Sequence, residues 1–270
     1  MSMTNPQERI SFAAESGLPV MLGTFDSITL AEMAGVALLD RMELKYVMTQ
    51  PALTRVLSSL SADYRVLTVA GQRLSHYRTL YFDTADMALY RRHHAGAPER
   101  YKVRAREYVD SHAAFFEVKH KTKPRHTVKS RIPTAGLVTS LGGSCAGFLA
   151  GVCPYAPDEL VARLWNRYTR ITLVSKWRPE RVTLDLDVAF SWDGQTVRLP
   201  GLVVAEVKYQ GAIYTSDFVR RMRELHMRSS SFSKYCIGIS LLYPHEKHNR
   251  FKGKNQLIAR LMAGEQNDTH

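Results

Sequence analysis

The sequence predicts an α+β fold dominated by an antiparallel sheet, one face of which is charged and turned into a shared cavity. Three observations lead there. In Arg100-Tyr101-Lys102-Val103-Arg104-Ala105-Arg106 a basic side chain recurs at every second residue, so four of them point to one face of a single strand. The same alternation returns in Glu117, Lys119, Lys121 and Lys123, in Lys129 with Arg131, and in Glu206 with Lys208. The opposite parity is apolar, with Val103, Ala105, Phe116, Val118, Leu184, Leu186 and Val188. A sheet packed on its outer side and charged on its inner side encloses a site suited to a multiply charged anion.

The elements follow in order. Residues 1–24 read as a flexible lead-in, and Asp26 or Ser27 can cap a helix with Leu30, Met33, Val36 and Ala37 on its apolar face. A strand is expected over 41–48. Thr49-Gln50-Pro51 then supplies a cap and an early proline for a short amphipathic helix carrying Leu53, Val56, Leu57 and Leu60. A strand over 73–82 ends at Asp83-Thr84-Ala85-Asp86, where a helical turn begins. Three strands in hairpin order are expected over 99–108, 113–123 and 126–132, with turns at Val109-Asp110-Ser111 and Lys123-Pro124-Arg125. The small-residue stretch 134–157 holds a short helix or two. Strands resume over 165–176, 181–192 and 202–209, followed by an amphipathic helix over 217–227 and a more apolar one over 234–242. One domain, 25–245, is expected, with 246–270 as a basic tail. Because short turns rather than helical crossovers join the strands, the sheet is antiparallel, and closing it would leave no exposed edge.

With 270 residues, 45% of them hydrophobic, the chain can bury a substantial core. Its net charge of +12 calls for an acidic partner: nucleic acid, polyphosphate or an anionic membrane surface. The cations alternate along strands together with carboxylates instead of clustering on an exposed helix with stacking aromatics. That favours a charged pocket, with no nucleic acid expected. Cys145, Cys153 and Cys236 lack metal-like spacing, which implies a reduced, cytoplasmic setting and no structural zinc. No apolar run is long enough to span a bilayer, so a membrane enters only through a partner. Asp185 and Asp187 share a face with Arg181 and serve either as metal ligands or as ion-pair partners of interior arginines. Arg220, Arg221, Arg223 and Arg228 read as a solvated helix face.

These motifs, in this order, resemble the VTC domain, the polyphosphate polymerase domain of the vacuolar transporter chaperone complex, in its stand-alone bacterial form. The resemblance rests on Arg41-Met42-Glu43-Leu44-Lys45-Tyr46, Leu80-Tyr81-Phe82-Asp83-Thr84, the basic strand from Arg100, Glu117-Val118-Lys119, Val128-Lys129-Ser130-Arg131, Asn166-Arg167-Tyr168, the stretch from Arg181 to Asp187, Glu206-Val207-Lys208 and Phe232-Ser233-Lys234-Tyr235. It implies the triphosphate tunnel metalloenzyme fold, an eight-stranded antiparallel β-barrel with flanking helices. The bore of that barrel binds triphosphate or polyphosphate with a divalent metal, Mn or Mg.

By the same resemblance the phosphate-binding, catalytic positions are Lys45, Arg104, Arg106, Lys119, Lys129, Arg167, Arg181 and Lys234. The metal-binding carboxylate is Glu206, with Glu43 and Glu117 as assisting acids. Lys102, Lys121, Arg131 and Lys208, on the alternating strands, are further substrate-binding candidates. Two positions depart from the pattern: Arg41 stands where the wider superfamily opens its first strand with Glu, and Ser231 stands where the eukaryotic polymerase carries a lysine. The implied activity is transfer of the terminal phosphoryl group of a nucleoside triphosphate onto a polyphosphate chain. A triphosphatase of the same fold, a non-catalytic polyphosphate-binding module and a nucleic-acid binder remain as alternatives.

Overall fold

A computed structural model describes residues 17–34, 42–123, 126–212 and 215–264. Arg41 and the turn residues Pro124 and Arg125 lie outside the described residues, as do Val36 and Ala37 of the first expected helix. In chain order the elements are α1 (Leu18–Gly23), β1 (Asp26–Ile28), α2 (Leu30–Ala34), β2 (Met42–Thr49), α3 (Gln50–Leu57), β3 (Tyr64–Leu67), β4 (Ser75–Thr84), α4 (Ala88–Ala95), β5 (Arg100–Tyr108), β6 (Ala113–Lys123), β7 (His126–Thr134), α5 (Gly143–Val152), β8 (Leu160–Ser175), β9 (Glu180–Trp192), β10 (Gln195–Arg198), β11 (Leu202–Tyr209), α6 (Asp217–Glu224), α7 (Lys234–Leu242) and α8 (Lys252–Met262). The short strand β1 falls where the sequence suggested a helix cap, α1 in the expected lead-in and α8 in the expected tail, while β3 forms in the stretch 61–72 to which no element was assigned.

The main path of the sheet runs β2-β11-β9-β8-β4-β5-β6-β7, and every ladder along it is antiparallel. Among the described residues no ladder joins β2 to β7, so the expected closed eight-stranded barrel is corrected to an open sheet with two ends. Closure was inferred from the need to hide sheet edges. Here β7 manages its edge differently: Pro133 offers no N–H to a further strand, and Arg131 stands exposed along it. β3 adds to β8, β1 pairs with β3 in parallel, and β10 adds to β9.

The outer face packs as the apolar parity requires except at Val188, which the irregularity at Asp187 turns to the inner side. Val103, Ala105, Phe116 and Val118 lie with Cys145 and Leu149 of α5, while Val182, Leu184, Leu186, Ala205 and Val207 lie with Leu53, Val56 and Leu57 of α3 and with Phe218 and Met222 of α6. The inner face is divided. Its charged part is described below, and its apolar part, Leu164, Val188, Phe190 and Val204, receives α7. Gly238 makes that contact possible, because a Cβ there would meet Leu164 at 2.6 Å and Phe190 at 2.7 Å. The division follows from an irregularity between β8 and β9, where the register shifts between Arg167 and Thr169 and Asp187 takes φ 51°. Asp185 and Asp187 therefore do not continue one alternation, contrary to the simple strand reading.

α7 is fastened by a buried polar node. The Asp83 carboxylate accepts hydrogen bonds from the amides of Leu89 (2.8 Å) and Tyr90 (2.9 Å) at the start of α4 and from the Tyr235 hydroxyl. Asp83→Ala leaves these donors without an acceptor in a fully buried position. A loss of about 1–3 kcal/mol or more, read by chemical denaturation, is the expected result.

Candidate functional site

Pleating alone places the first group of charges. In the ladder between β2 and β11, Glu206 stands opposite Lys45 and Lys208 opposite Glu43, all on the inner parity. The Glu206 carboxylate lies between the ammonium groups of Lys45 and Lys208, and Lys45 Nζ also donates to Glu43 Oε2 at 3.3 Å. Burial alone would raise the Glu206 pKa, but the two lysines hold the carboxyl well below its usual range. Burial would lower Lys45, and its two glutamates outweigh that and raise it; at Lys208 burial prevails and its pKa falls. Arg181 on β9 pairs in register with Lys208 and adds a half-buried guanidinium to the same row.

A second group is built on β5, β6 and β7. Glu117, fully buried, accepts from Arg104 Nε at 2.8 Å and Nη2 at 2.6 Å, and pairs with Lys129 on β7. Burial opposes ionisation of Glu117, yet Arg104, Arg106 and Lys129 keep its carboxyl far below the ordinary range. Arg106 reaches Thr79 Oγ1 at 3.4 Å and lies 5.7 Å from the Tyr77 ring centre. Lys102 donates to Ser233 Oγ at 2.9 Å, which ties β5 to the cap of α7. Lys121 stands beyond Lys102, its pKa lowered by burial and by Arg100 and Lys102. Arg131 is exposed and rests over Phe115, 4.6 Å from the ring centre.

Lys119 joins the two groups. It stands between Lys102 and Lys129 in the ladders, while the charges of Glu206, Glu43 and Lys208 act on it from β2 and β11. The open sheet therefore curls far enough for β6 to face β2 and β11. Burial first, then Arg104 and Lys208, push its pKa down to about 7, against the raising effect of the two glutamates.

The third group pairs Arg170 with Asp185 at 2.5 Å and 2.8 Å and brings Lys234, the first residue of α7, onto the same carboxylate. Lys234 also lies 4.6 Å from the Tyr168 ring centre. Asp185 is thus an ion-pair partner of interior cations, one of its two expected roles. Arg170 was not among the expected site residues, whereas Arg167 was, and Arg167 is exposed on the other face. Two strand residues three apart cannot share a face. Ile171 and Leu173, which continue the packed outer parity of Arg167, were the readable signal that Arg170 points inward.

Lys45, Lys102, Arg104, Arg106, Lys119, Lys121, Lys129, Arg181, Lys208 and Lys234 are thus brought to one interior side, with Arg131 at its exposed margin and Arg167 outside it. Of the proposed metal carboxylates, Glu206 and Glu43 converge on Lys45, while Glu117 belongs to the separate Arg104 group. Among the described residues no cluster of three or more His, Cys, Asp or Glu side chains is placed to hold a metal. The donor set still suits a hard divalent cation bound together with phosphate: two carboxylates already meet on one cation, and such ions take one or two carboxylates plus substrate oxygens.

The model of the VTC domain family matches residues 40–140 and 155–243. The chain belongs to the VTC domain family. Comparison with curated proteins finds no match. Solved structures similar to this VTC domain chain include a putative adenylyl cyclase, HpAC1 from Hippeastrum, described as having a dominant triphosphatase activity. It is 18% identical, with TM-score 0.49, over 77% of this chain and 100% of that one. A putative adenylate cyclase from Bacillus halodurans is 13% identical, with TM-score 0.45, over 76% and 100%. A conserved hypothetical protein from Pyrococcus furiosus is 8% identical, with TM-score 0.43, over 73% and 99%.

Proposed function

We propose that this VTC domain is a metal-dependent phosphotransferase that binds a nucleoside triphosphate and a polyphosphate, or other oligophosphate, along its cationic interior and moves the terminal phosphoryl group from one to the other. The observation that carries the proposal is the convergence of cations from β2, β5, β6, β7, β8, β9, β11 and α7 on one lined space, interleaved with Glu206, Glu43, Glu117 and Asp185. The family membership agrees with it.

Phosphoryl transfer needs charge on the equatorial oxygens stabilised and the two reacting oxygens held in line. Arg104, Arg106, Arg170 and Arg181 offer planar forks for those oxygens. Lys45, Lys119, Lys129, Lys208 and Lys234 supply point charges that a sliding chain can exchange. The attacking oxygen belongs to the terminal phosphate of the acceptor, already ionised near neutral pH, so no side chain has to remove a proton. A bond forms from that oxygen to the γ phosphorus as the γ phosphorus parts from its bridging oxygen, and the nucleoside diphosphate leaves with the electron pair. Glu206 and Glu43 would hold a Mg or Mn ion, which supplies further neutralisation of phosphate charge. Hydrolysis is the second reading, because Glu43 is an exposed carboxylate beside Lys45, within reach of solvent water.

Incubation with ATP and Mn or Mg followed by product sizing tests the proposal. Long-chain polymer is the expected product; orthophosphate and short oligophosphates select hydrolysis, and tight binding without turnover selects a binding module. Glu206→Gln is expected to cut metal-dependent turnover on the order of a hundredfold, the equivalent of about 3 kcal/mol of transition-state stabilisation. Inorganic triphosphate is expected to raise the melting temperature in proportion to its affinity, and an unchanged melting curve counts against the whole proposal. Among the described residues no helix is long and apolar enough to cross a membrane. A cytoplasmic location, with any membrane contact made through a partner, completes the proposal.

A further inference from the structure

The space next to Lys45 differs in chemistry from the rest of the interior. A pocket of about 150 Å³ opens between the segment leading into α7 and the C-terminal helix α8, lined by Lys45, Ser231, Phe232, Ile237, Phe251 and Lys254. Its floor is apolar: Phe232, Ile237 and Phe251 are buried core side chains. A cavity of this size with Phe and Ile walls takes one aromatic ring, and because it opens to solvent on one side, the second ring of a purine extends to its mouth. Its rim carries two cations of different standing. Lys45 is committed to Glu206 and Glu43, whereas the half-buried Lys254 makes no ion pair or hydrogen bond with another described residue. α8 packs on β2 and β11 and lies beyond the segment that the family model matches.

We infer that this pocket holds the nucleobase of a nucleoside triphosphate whose phosphates run past Lys45 toward Glu206, with Lys254 lying against the base. The inference rests on the triphosphate reading of the charged interior and adds the nucleoside end of the donor. An apolar floor gains nothing from a phosphate group, and desolvating phosphate against it is costly. A planar base buries its faces there, and an unpaired ammonium beside it contributes a cation–π contact. Lys45 is the residue common to both sites, so base and triphosphate lie on either side of it.

The test compares three ligands on the full chain by titration calorimetry with Mg: ATP, ribose 5-triphosphate and inorganic triphosphate. ATP and ribose 5-triphosphate carry the same phosphates and differ in the base. ATP is expected to bind on the order of tenfold more tightly than ribose 5-triphosphate. Ser231→Tyr, at an exposed position, fills the pocket without disturbing the core, and Lys254→Ala removes the rim cation; either brings the two affinities within about twofold. Equal affinities in the parent protein, or an ATP preference that survives both substitutions, overturns the base pocket while leaving the triphosphate site standing. Failure of all three ligands to bind overturns both.

Discussion

Replacing Glu117 with Gln is expected to lower the melting temperature by roughly 10 °C, and inorganic triphosphate is expected to recover more of that loss than it adds to the parent protein. Glu117 is fully buried and is the shared partner of Arg104 and Lys129. Gln keeps the shape and removes the charge, so two cations are left facing each other beside Arg106. Breaking one side of a buried pair costs about 3–5 kcal/mol, and in a chain of this size each kcal/mol corresponds to roughly 2–4 °C. The exposed Glu43 supplies the control: Glu43→Gln moves the midpoint little, because a solvated pair contributes at most about 1 kcal/mol.

The ligand arm separates function from mere stability. If the interior is a phosphate site, an entering anion takes the place of the missing carboxylate on Arg104 and Lys129, and the variant binds triphosphate more tightly than the parent does. An equal shift in both proteins would reduce Glu117 to a structural counterion. The pH dependence carries the same sign. The folded-state pKa of Glu117 lies below the ordinary 4.5, so its contribution is complete above about pH 4.5 and is lost as pH falls through the folded value. Parent and variant therefore converge in acid and differ most near neutrality.

The charged interior was legible because pleating has a period of two and needs no tertiary information. Arg104, Arg106, Lys119 and Lys129 fall on one side wherever their strands lie in the sheet. α7 was equally legible, since Ser233 accepts from the Cys236 amide at its start and an apolar run follows. What was not legible depended on partners distant in sequence. Whether β2 meets β7 is a property of sheet curvature, and the stagger that places Asp187 at φ 51° is set by the pairing of β8 with β9. The role of Lys254 depends on where α8 docks, and a short amphipathic stretch in a basic tail does not announce its landing place. Arg170 stands between these cases: its parity could be read from Ile171 and Leu173, but its carboxylate partner, Asp185, comes from another strand.

Binding of triphosphate at pH 8.5 is expected to take up a proton, and Lys119 is the main residue to receive it. Its amine is held to about 7 by burial and by Arg104 and Lys208, against Glu206 and Glu43, so above pH 7 it is mostly neutral in the ligand-free protein. A polyanion reverses that balance by favouring the ammonium. The affinity therefore weakens as pH rises above 7, by up to about tenfold per pH unit for one proton taken up, and is flat below it. Lys129, lowered to about 8 by burial and by Arg104 and Arg106, adds a second uptake above that pH. Titration calorimetry in buffers of different ionisation heat measures the proton count directly. Lys119→Arg should reduce it by about one, because a guanidinium stays charged throughout this range, and should hold the affinity nearly level from pH 7 to 8. The same stability relation works without ligand: the charged form of Lys119 is disfavoured in the folded state, so its cost is complete below pH 7 and is relieved as pH rises toward 10.5. Identical binding heats in every buffer at pH 8.5 would place the anion away from Lys119, and with it away from the place where the charges of β5 and those of β2 and β11 act together.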